Sequence, residues 1–481
     1  MFFQRFYDPK LAQTSYLVGC PASGEALVVD PTRQVDLYLQ AATAEGLRVA
    51  HVTETHIHAD FISGARELAH RSGAHLYLSG TGGPEWEYRY AREAGATLLS
   101  EGSEIRVGQV IVRALHVPGH TPEHLAFVVT DTARAAEPLG LLTGDCLFVG
   151  DVGRPDLLER AAGVSGSMEA SARQLFRSLQ RLRALPDYLQ LWPGHGAGSA
   201  CGKALSDMPQ STLGFEKRYN WGFGIPDEAA FVQAVLEGQP DPPRYFAQMK
   251  RINRDGPRLL GGSPAPVRLP AARLPELIAA GALVIDTREA DSFAQGSLRG
   301  TLNIPATKSF TTWAGWLLPY DRDFYLIVDQ RRPDLVNQLA RDLSGIGLDR
   351  VAGFFGSEAV EHGSSSGRFQ TIDSVSLQDV ADRLGSRNAM VLDVRGEAEW
   401  RAGHIPGSIN LPLGELESRT AELPRDRPLV VHCLSGGRAA IAASLLKARG
   451  FEQVVQFPGG FGEWSSRGER IEKNGIGASL S

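Results

Sequence analysis

Several short apolar runs end in a polar residue beside Gly or Pro, the pattern of buried strands that hand over to a loop. In the N-terminal half, Ala50-His51-Val52-Thr53 leads to His56-x-His58-x-Asp60, Leu141-Leu142-Thr143-Gly144 leads to Asp145, and Leu191-Trp192-Pro193-Gly194 leads to His195. Val117-Pro118-Gly119-His120-Thr121 has the same makeup. In the C-terminal half, Phe324–Val328 and Leu429–His432 read as strands, each followed by a turn and a helical pattern. Alternation of strand and helix predicts parallel α/β domains there. No run approaches the ~18 apolar residues of a membrane span. The opening Met-Phe-Phe-Gln-Arg-Phe-Tyr has no sustained apolar segment, so no export signal is expected.

Two clusters of helix- and strand-breaking residues divide the chain, one around residues 253–270 and one at 362–367. The parts that follow the first cluster repeat one another: Asp286/Asp393, Arg288/Arg395, Gly296/Gly403, Gly300/Gly407, Asn303/Asn410 and Pro305/Pro412 all keep one constant offset. Three domains are expected, at residues 1–252, 265–362 and 370–481.

The length of 481 residues agrees, because one hydrophobic core stops growing near about 250–300 residues. With 43% hydrophobic and 22% charged residues the chain reads as folded rather than disordered. A net charge of -6 without long runs of one sign excludes nucleic acid and an anionic membrane surface as expected partners, and leaves small molecules. Homo-oligomerisation is left open. The four cysteines form no C-x-x-C, which argues against a disulfide scaffold or zinc ribbon and for a reducing, cytoplasmic setting.

Nine of the twelve histidines lie before residue 200. On an extended segment, residues two apart share a face, so His56, His58 and Asp60 can converge on one point. His51, His70, His75, His116 and His124 read as hydrogen-bonded structural residues, and Cys201 as a small buried one. The ordered set of four motifs resembles that of the metallo-β-lactamase superfamily over about residues 1–250, which implies an αββα sandwich with metal-bearing loops at one edge. In dinuclear hydrolases of that superfamily the first motif ends Asp-His; here position 61 is Phe, which favours one metal over two.

The run from Leu141 to Leu157, with Gly153-Arg154-Pro155-Asp156, resembles persulfide dioxygenases, which carry one iron(II) on two histidines and one aspartate. The resemblance implies His56, His120 and Asp145 as ligands of one Fe(II) per chain, with His58, Asp60 and His195 orienting them. It also makes Arg154 a substrate-binding cation. Two departures, Gly196 after His195 where such enzymes have Asp-Tyr, and Val152 where they tend to have Cys, leave the thiol carrier open.

Leu429-Val-Val-His-Cys433-Leu-Ser-Gly-Gly-Arg438 runs into a helical Ala/Leu pattern, aiming loop N–H groups and a helix N-terminus at the sulfur. Cys433 is therefore expected to be nucleophilic. Four residues separate it from Arg438, one fewer than in tyrosine phosphatases, and the segment from about 370 resembles rhodaneses, with Cys433 and Arg438 catalytic. In the middle copy Asp329 or Gln330 stands opposite Cys433, and Arg331-Arg332-Pro333 replaces the glycines. That copy is expected to be catalytically inactive, with a structural or docking role.

Together these features resemble bacterial fusions of persulfide dioxygenase with tandem rhodanese domains. The expected chemistry is oxidation of a thiol persulfide such as glutathione persulfide by O2 to sulfite, coupled to sulfur transfer between persulfide or sulfite and thiosulfate in sulfide detoxification. The alternatives are a dinuclear zinc thioester hydrolase of the glyoxalase II kind fused to a sulfurtransferase, and a C-terminal half that binds sulfide or persulfide as a sensor without turnover.

Overall fold

The computed structural model describes residues 1–160, 166–199, 201–239, 242–243, 245–332, 334–364, 367–386 and 388–473. The chain divides into two compact units, residues 1–263 with 344–347, and residues 264–343 with 348–481.

The first unit contains two six-stranded sheets. One holds β1 (Phe2–Asp8), β2 (Gln13–Cys20), β3 (Glu25–Val29), β4 (Arg48–Thr53), β5 (His75–Ser79) and β6 (Thr97–Leu99) in sequence order. The other holds β7 (Glu104–Val107), β8 (Val110–His116), β9 (Leu125–Asp131), β10 (Gly140–Gly144), β11 (Gln190–Pro193) and β12 (Ser211–Thr212). Strands β2, β3 and β10 are buried along almost their whole length because both faces are covered. Tyr16, Val18, Leu27 and Val29 of the first sheet meet Val112, Phe127, Val129 and Leu142 of the second in one core. Their neighbours one residue away face outward: Leu17, Val28 and Val52 pack with Tyr38 and Leu68, while Ala126 and Leu141 pack with Leu175 and Leu179. Those partners lie on the helices Asp36–Ala44, Ala65–Ser72 and Met168–Arg183. The result is the expected αββα sandwich.

The second unit contains two parallel sheets, each with its own core. The first is built from β13 (Leu283–Asp286), β15 (Thr301–Asn303), β16 (Phe324–Val328) and β17 (Val351–Gly356), with a two-stranded ribbon of β14 (Ser297–Leu298) and β18 (Phe369–Gln370). The second is built from β19 (Asp373–Ser374), β20 (Met390–Asp393), β21 (Ile409–Asn410), β22 (Leu429–His432) and β23 (Val454–Phe457). The sequence repeat has a physical basis. Arg288 binds Asp286 at 2.6 Å and the Gly296 carbonyl at 2.9 Å, and Arg395 binds Asp393 at 2.6 Å and the Gly403 carbonyl at 2.8 Å. Asn303 and Asn410 each donate to the carbonyls of that Asp and Arg. These buried ionic clamps tie strand to loop in both copies. Where β22 is followed by Cys433, β16 is followed by Asp329, whose carboxylate accepts from the Arg331 guanidinium at 2.6 Å. Pro333 lies outside the described residues. Among the described residues no helix is long and apolar enough to cross a membrane.

Candidate metal centre and cysteine loop

Each motif leaves the C-terminal end of a strand: His56 after β4, His120 after β8, Asp145 after β10 and His195 after β11. The ligand atoms of His56, His120 and Asp145 all lie within 4.8 Å of one another, and all three residues are buried. Gly144 makes the last turn possible. Its φ is +50°, and a Cβ there would lie 2.7 Å from His124 Nε2, so only glycine fits.

Surrounding hydrogen bonds fix which nitrogen of each imidazole is available. Asp30 accepts the Thr55 hydroxyl at 2.9 Å and the Thr55 backbone N–H at 2.6 Å. With its proton committed to Asp30, the Thr55 hydroxyl accepts from His56 Nδ1 at 2.9 Å, which leaves the Nε2 lone pair of His56 free. His120 Nδ1 donates to the Arg154 carbonyl at 3.1 Å, and His195 Nδ1 to the Ala12 carbonyl at 3.0 Å, with the same outcome. His124 Nε2 accepts the Asp145 backbone N–H at 2.9 Å, so this ring is a structural post, as its sequence context indicated. Asp30 and Ala12 both adopt left-handed backbone conformations, φ +51°, a strain typical of functional sites.

The electrostatics call for a cation. Burial, reinforced by neighbouring imidazoles, holds His56 far below the usual histidine range and His120 at about 3, so both rings are neutral. Burial pushes Asp145 up to about 6. Neutral His120 Nε2 faces Asp145 Oδ2 at 3.5 Å, and His195 Nε2 faces it at 3.4 Å. Both Asp145 oxygens and His195 Nε2 are buried without a hydrogen-bond partner. Lone pairs opposed in a dry site are costly unless a metal ion lies between them. The donor set of two imidazoles and one carboxylate fits a divalent transition metal.

A second group, Asp60, His195 and Cys201, also brings its ligand atoms within 4.8 Å of one another. Cys201 is buried, as expected, but its place beside His195 was not legible, since only the fold of the intervening loop brings it there. Asp151 builds that loop: buried itself, it accepts from the backbone of Lys203 and Ala204 at 2.8 and 2.7 Å and from Trp221 Nε1 at 2.8 Å. Burial, with Asp60 and Asp145 nearby, pushes the Cys201 thiol far above its usual range. His58 belongs to neither group. Burial alone would lower it, but Asp30 at 3.1 Å and Glu54 prevail and raise it to about 9, so it stands as an imidazolium salt-bridged to Asp30. Phe61 is fully buried with its ring 4.4 Å from that of His58. Arg154 is fully buried and forks onto Asp156 at 2.7 and 3.1 Å, which anchors the loop whose carbonyl orients His120.

The Asp30–Thr55–His56 chain yields a prediction. Thr55→Val removes the acceptor for His56 Nδ1 and should weaken metal affinity by roughly 10–100-fold, read by competition with a chromogenic chelator. An unchanged affinity would show that this chain does not orient His56.

Cys433 heads the loop between β22 and the helix Gly437–Ala448 and is 2% exposed. The loop is held from below by Phe461 and Gly462, whose N–H groups donate to the Cys433 and Leu434 carbonyls at 2.8 and 2.9 Å. Gly436 has φ +89°, and a Cβ there would lie 2.8 Å from the Pro458 carbonyl oxygen. Arg438 is bound bidentately by Glu399 at 2.6 and 2.8 Å, which holds the Glu399 carboxyl below the usual range. The fold, not the local sequence, gives Glu399 the task of fixing Arg438.

Comparison with known proteins agrees with this geometry. The metallo-beta-lactamase superfamily matches residues 8–195, and the rhodanese-like domain family matches residues 376–467. A solved metallo-beta-lactamase from Staphylococcus aureus subsp. aureus COL is 40% identical, with a TM-score of 0.65, covering 74% of this chain and 99% of that one. The chain belongs to the metallo-β-lactamase superfamily and carries a rhodanese-like domain C-terminal to that fold. A hydroxyacylglutathione hydrolase from Methylococcus capsulatus is 36% identical over 180 residues, which is 37% of this chain and 60% of that relative. A putative sulfur carrier protein, YrkF of Bacillus subtilis, is 34% identical over 110 residues, 23% of this chain and 58% of that relative. The chain thus spans less than two thirds of either curated relative.

Proposed function

We propose that the protein oxidises thiol persulfides and transfers sulfane sulfur, as a persulfide dioxygenase joined to a sulfurtransferase. The first reaction is RSSH + O2 + H2O giving RSH, sulfite and two protons. The observation that carries this reading is the His56/His120/Asp145 face, with His58 outside it, paired with Asp30 and packed on the apolar ring of Phe61. One iron(II) held there would supply the redox chemistry and open positions for O2 and the persulfide sulfur. The protein's part is to keep His56 and His120 neutral and to fix their orientation through Thr55 and the Arg154 carbonyl. Asp60 and His195, whose side chains meet at 3.3 Å beside Asp145, would orient a bound water. Arg154, expected from the resemblance to bind a persulfide's carboxylate, is fully buried and paired with Asp156, and is proposed instead to act by holding the loop whose carbonyl orients His120.

The second activity rests on Cys433 at the loop head, supported by the likeness of its domain to a putative sulfur carrier. The middle repeat, with Asp329 and Gln330 at the corresponding place, is proposed to carry no sulfane sulfur. All four cysteines are free and buried, in keeping with a reducing, cytoplasmic setting.

A hydrolase reading has its own support: the Asp60/His195/Cys201 group, suited to a second metal, and the likeness to a hydroxyacylglutathione hydrolase. Metal content separates the two. Protein purified anaerobically is expected to hold about one iron per chain and to consume O2 with glutathione persulfide. Two tightly bound zinc ions per chain with thioester hydrolysis would establish the hydrolase instead.

A further inference from the structure

Cys433 lies at the edge of a cavity of about 450 Å³, and its own domain builds only one side of it. That side is the loop and first helical turn, including Leu434, Ser435 and Arg438. The opposite side comes from the cysteine-less repeat through Glu289, Pro305, Thr307, Ser309 and Trp313. The two sides are held together by direct contacts: the buried Asn303 backbone N–H donates to Ser444 Oγ at 2.9 Å, and the half-buried Trp316 ring lies against Gly414.

The volume exceeds what the smallest sulfur donors and acceptors need. Thiosulfate, sulfite and cyanide have only a few heavy atoms each, whereas about 300–1,000 Å³ is typical of sites for organic ligands. On the cysteine-less side a half-buried indole and two hydroxyls line the cavity. Charge narrows the choice further. Arg438 is neutralised by Glu399, and Arg288 is turned onto Asp286. Glu289 is exposed at the cavity and has no ion-pair partner among the described residues.

We propose that the cysteine-less repeat is the specificity wall of the sulfurtransferase site: Trp313 and Glu289 receive the carbon skeleton and ammonium group of a small aminothiol persulfide while Cys433 takes its outer sulfur. This rests on the reading of Cys433 as the sulfur-transfer nucleophile. The Cys433 thiolate attacks the outer sulfur, the substrate S–S bond breaks, and the thiol leaves with the persulfide proton. Sulfite then takes the outer sulfur from Cys433, breaking the new S–S bond, releasing thiosulfate and restoring the thiolate.

The test uses the full-length protein without O2, so that persulfide oxidation is silent. Thiosulfate formation from sulfite is measured with cysteamine persulfide and with 3-mercaptopropionate persulfide, which are of similar size and opposite charge. Thiocyanate formation from thiosulfate and cyanide is the reference reaction. The parent protein should have the higher kcat/KM for cysteamine persulfide. Glu289→Gln should lower that value roughly three- to fivefold and leave 3-mercaptopropionate persulfide unchanged, and Glu289→Lys should invert the preference. Trp313→Ala should lower kcat/KM for both organic persulfides about tenfold, with Trp313→Phe restoring most of it, while thiocyanate formation changes less than twofold. Equal losses in all three reactions for Trp313→Ala, or no change in charge preference in either Glu289 variant, would overturn the proposal. Retention of every reaction by Cys433→Ser would instead defeat the assignment of the nucleophile.

Discussion

Cys433→Ser should abolish sulfur transfer, by at least about a thousandfold, because a serine hydroxyl cannot carry a sulfane sulfur. Cys433 is 2% exposed and followed by the loop that Phe461, Gly462 and Gly436 hold in shape, so the one-atom change leaves the architecture intact. O2 uptake with persulfide should continue at the parental rate. Sulfite should then accumulate where the parent converts it to thiosulfate. The products are separated by thiol-reactive fluorescent labelling and chromatography. Thiosulfate formed at the parental rate by the variant would mean that another group is the nucleophile.

Changing His56, His120 or Asp145 to Ala should have the complementary effect. Each removes one donor from the buried three-ligand face, and loss of a direct donor should exceed the roughly 10–100-fold effect of losing a supporting hydrogen bond. O2 uptake should fall to background, and bound iron should fall in parallel. Transfer from thiosulfate to cyanide at Cys433 should persist. Asp145→Asn adds a check independent of activity. Its carboxyl is pushed up to about 6 by burial, so ionised Asp145 destabilises the metal-free fold above that pH, and the neutral amide should raise the metal-free Tm at pH 8. Loss of both O2 uptake and sulfur transfer in the Ala variants would point to unfolding rather than to a metal site.

These expectations depend on features that were legible to different degrees. Apolar runs that end beside Gly or Pro marked the strands, because a strand buried on both faces must be apolar throughout and its loop must then turn sharply. The four metal-region motifs lay in order along the chain because each follows its own strand, so reading the strand ends amounted to reading the site. The repeat was legible because buried ionic clamps such as Asp393–Arg395 tolerate little change. Cys433 announced itself through the Gly-Gly-Arg that follows it.

What the sequence pattern by itself determined is therefore the alternation that makes the two parallel sheets and the residue types at each strand end; the αββα sandwich was implied by the resemblance of the four motifs to a known superfamily. Periodicity and local turn chemistry are properties of neighbours along the chain. What only the tertiary structure decided is how those residues face one another. Asp30, 26 positions before His56, sets its tautomer through Thr55, and Asp151 folds Cys201 back toward His195 and Asp60. Arg154 turned inward onto Asp156, a pairing two residues apart whose burial no local pattern records. Glu289 and Trp313 came to line the cavity of a cysteine more than a hundred positions away. Such contacts arise from the closure of long loops over a packed core, and their energies depend on burial and mutual distance, which a linear sequence does not contain.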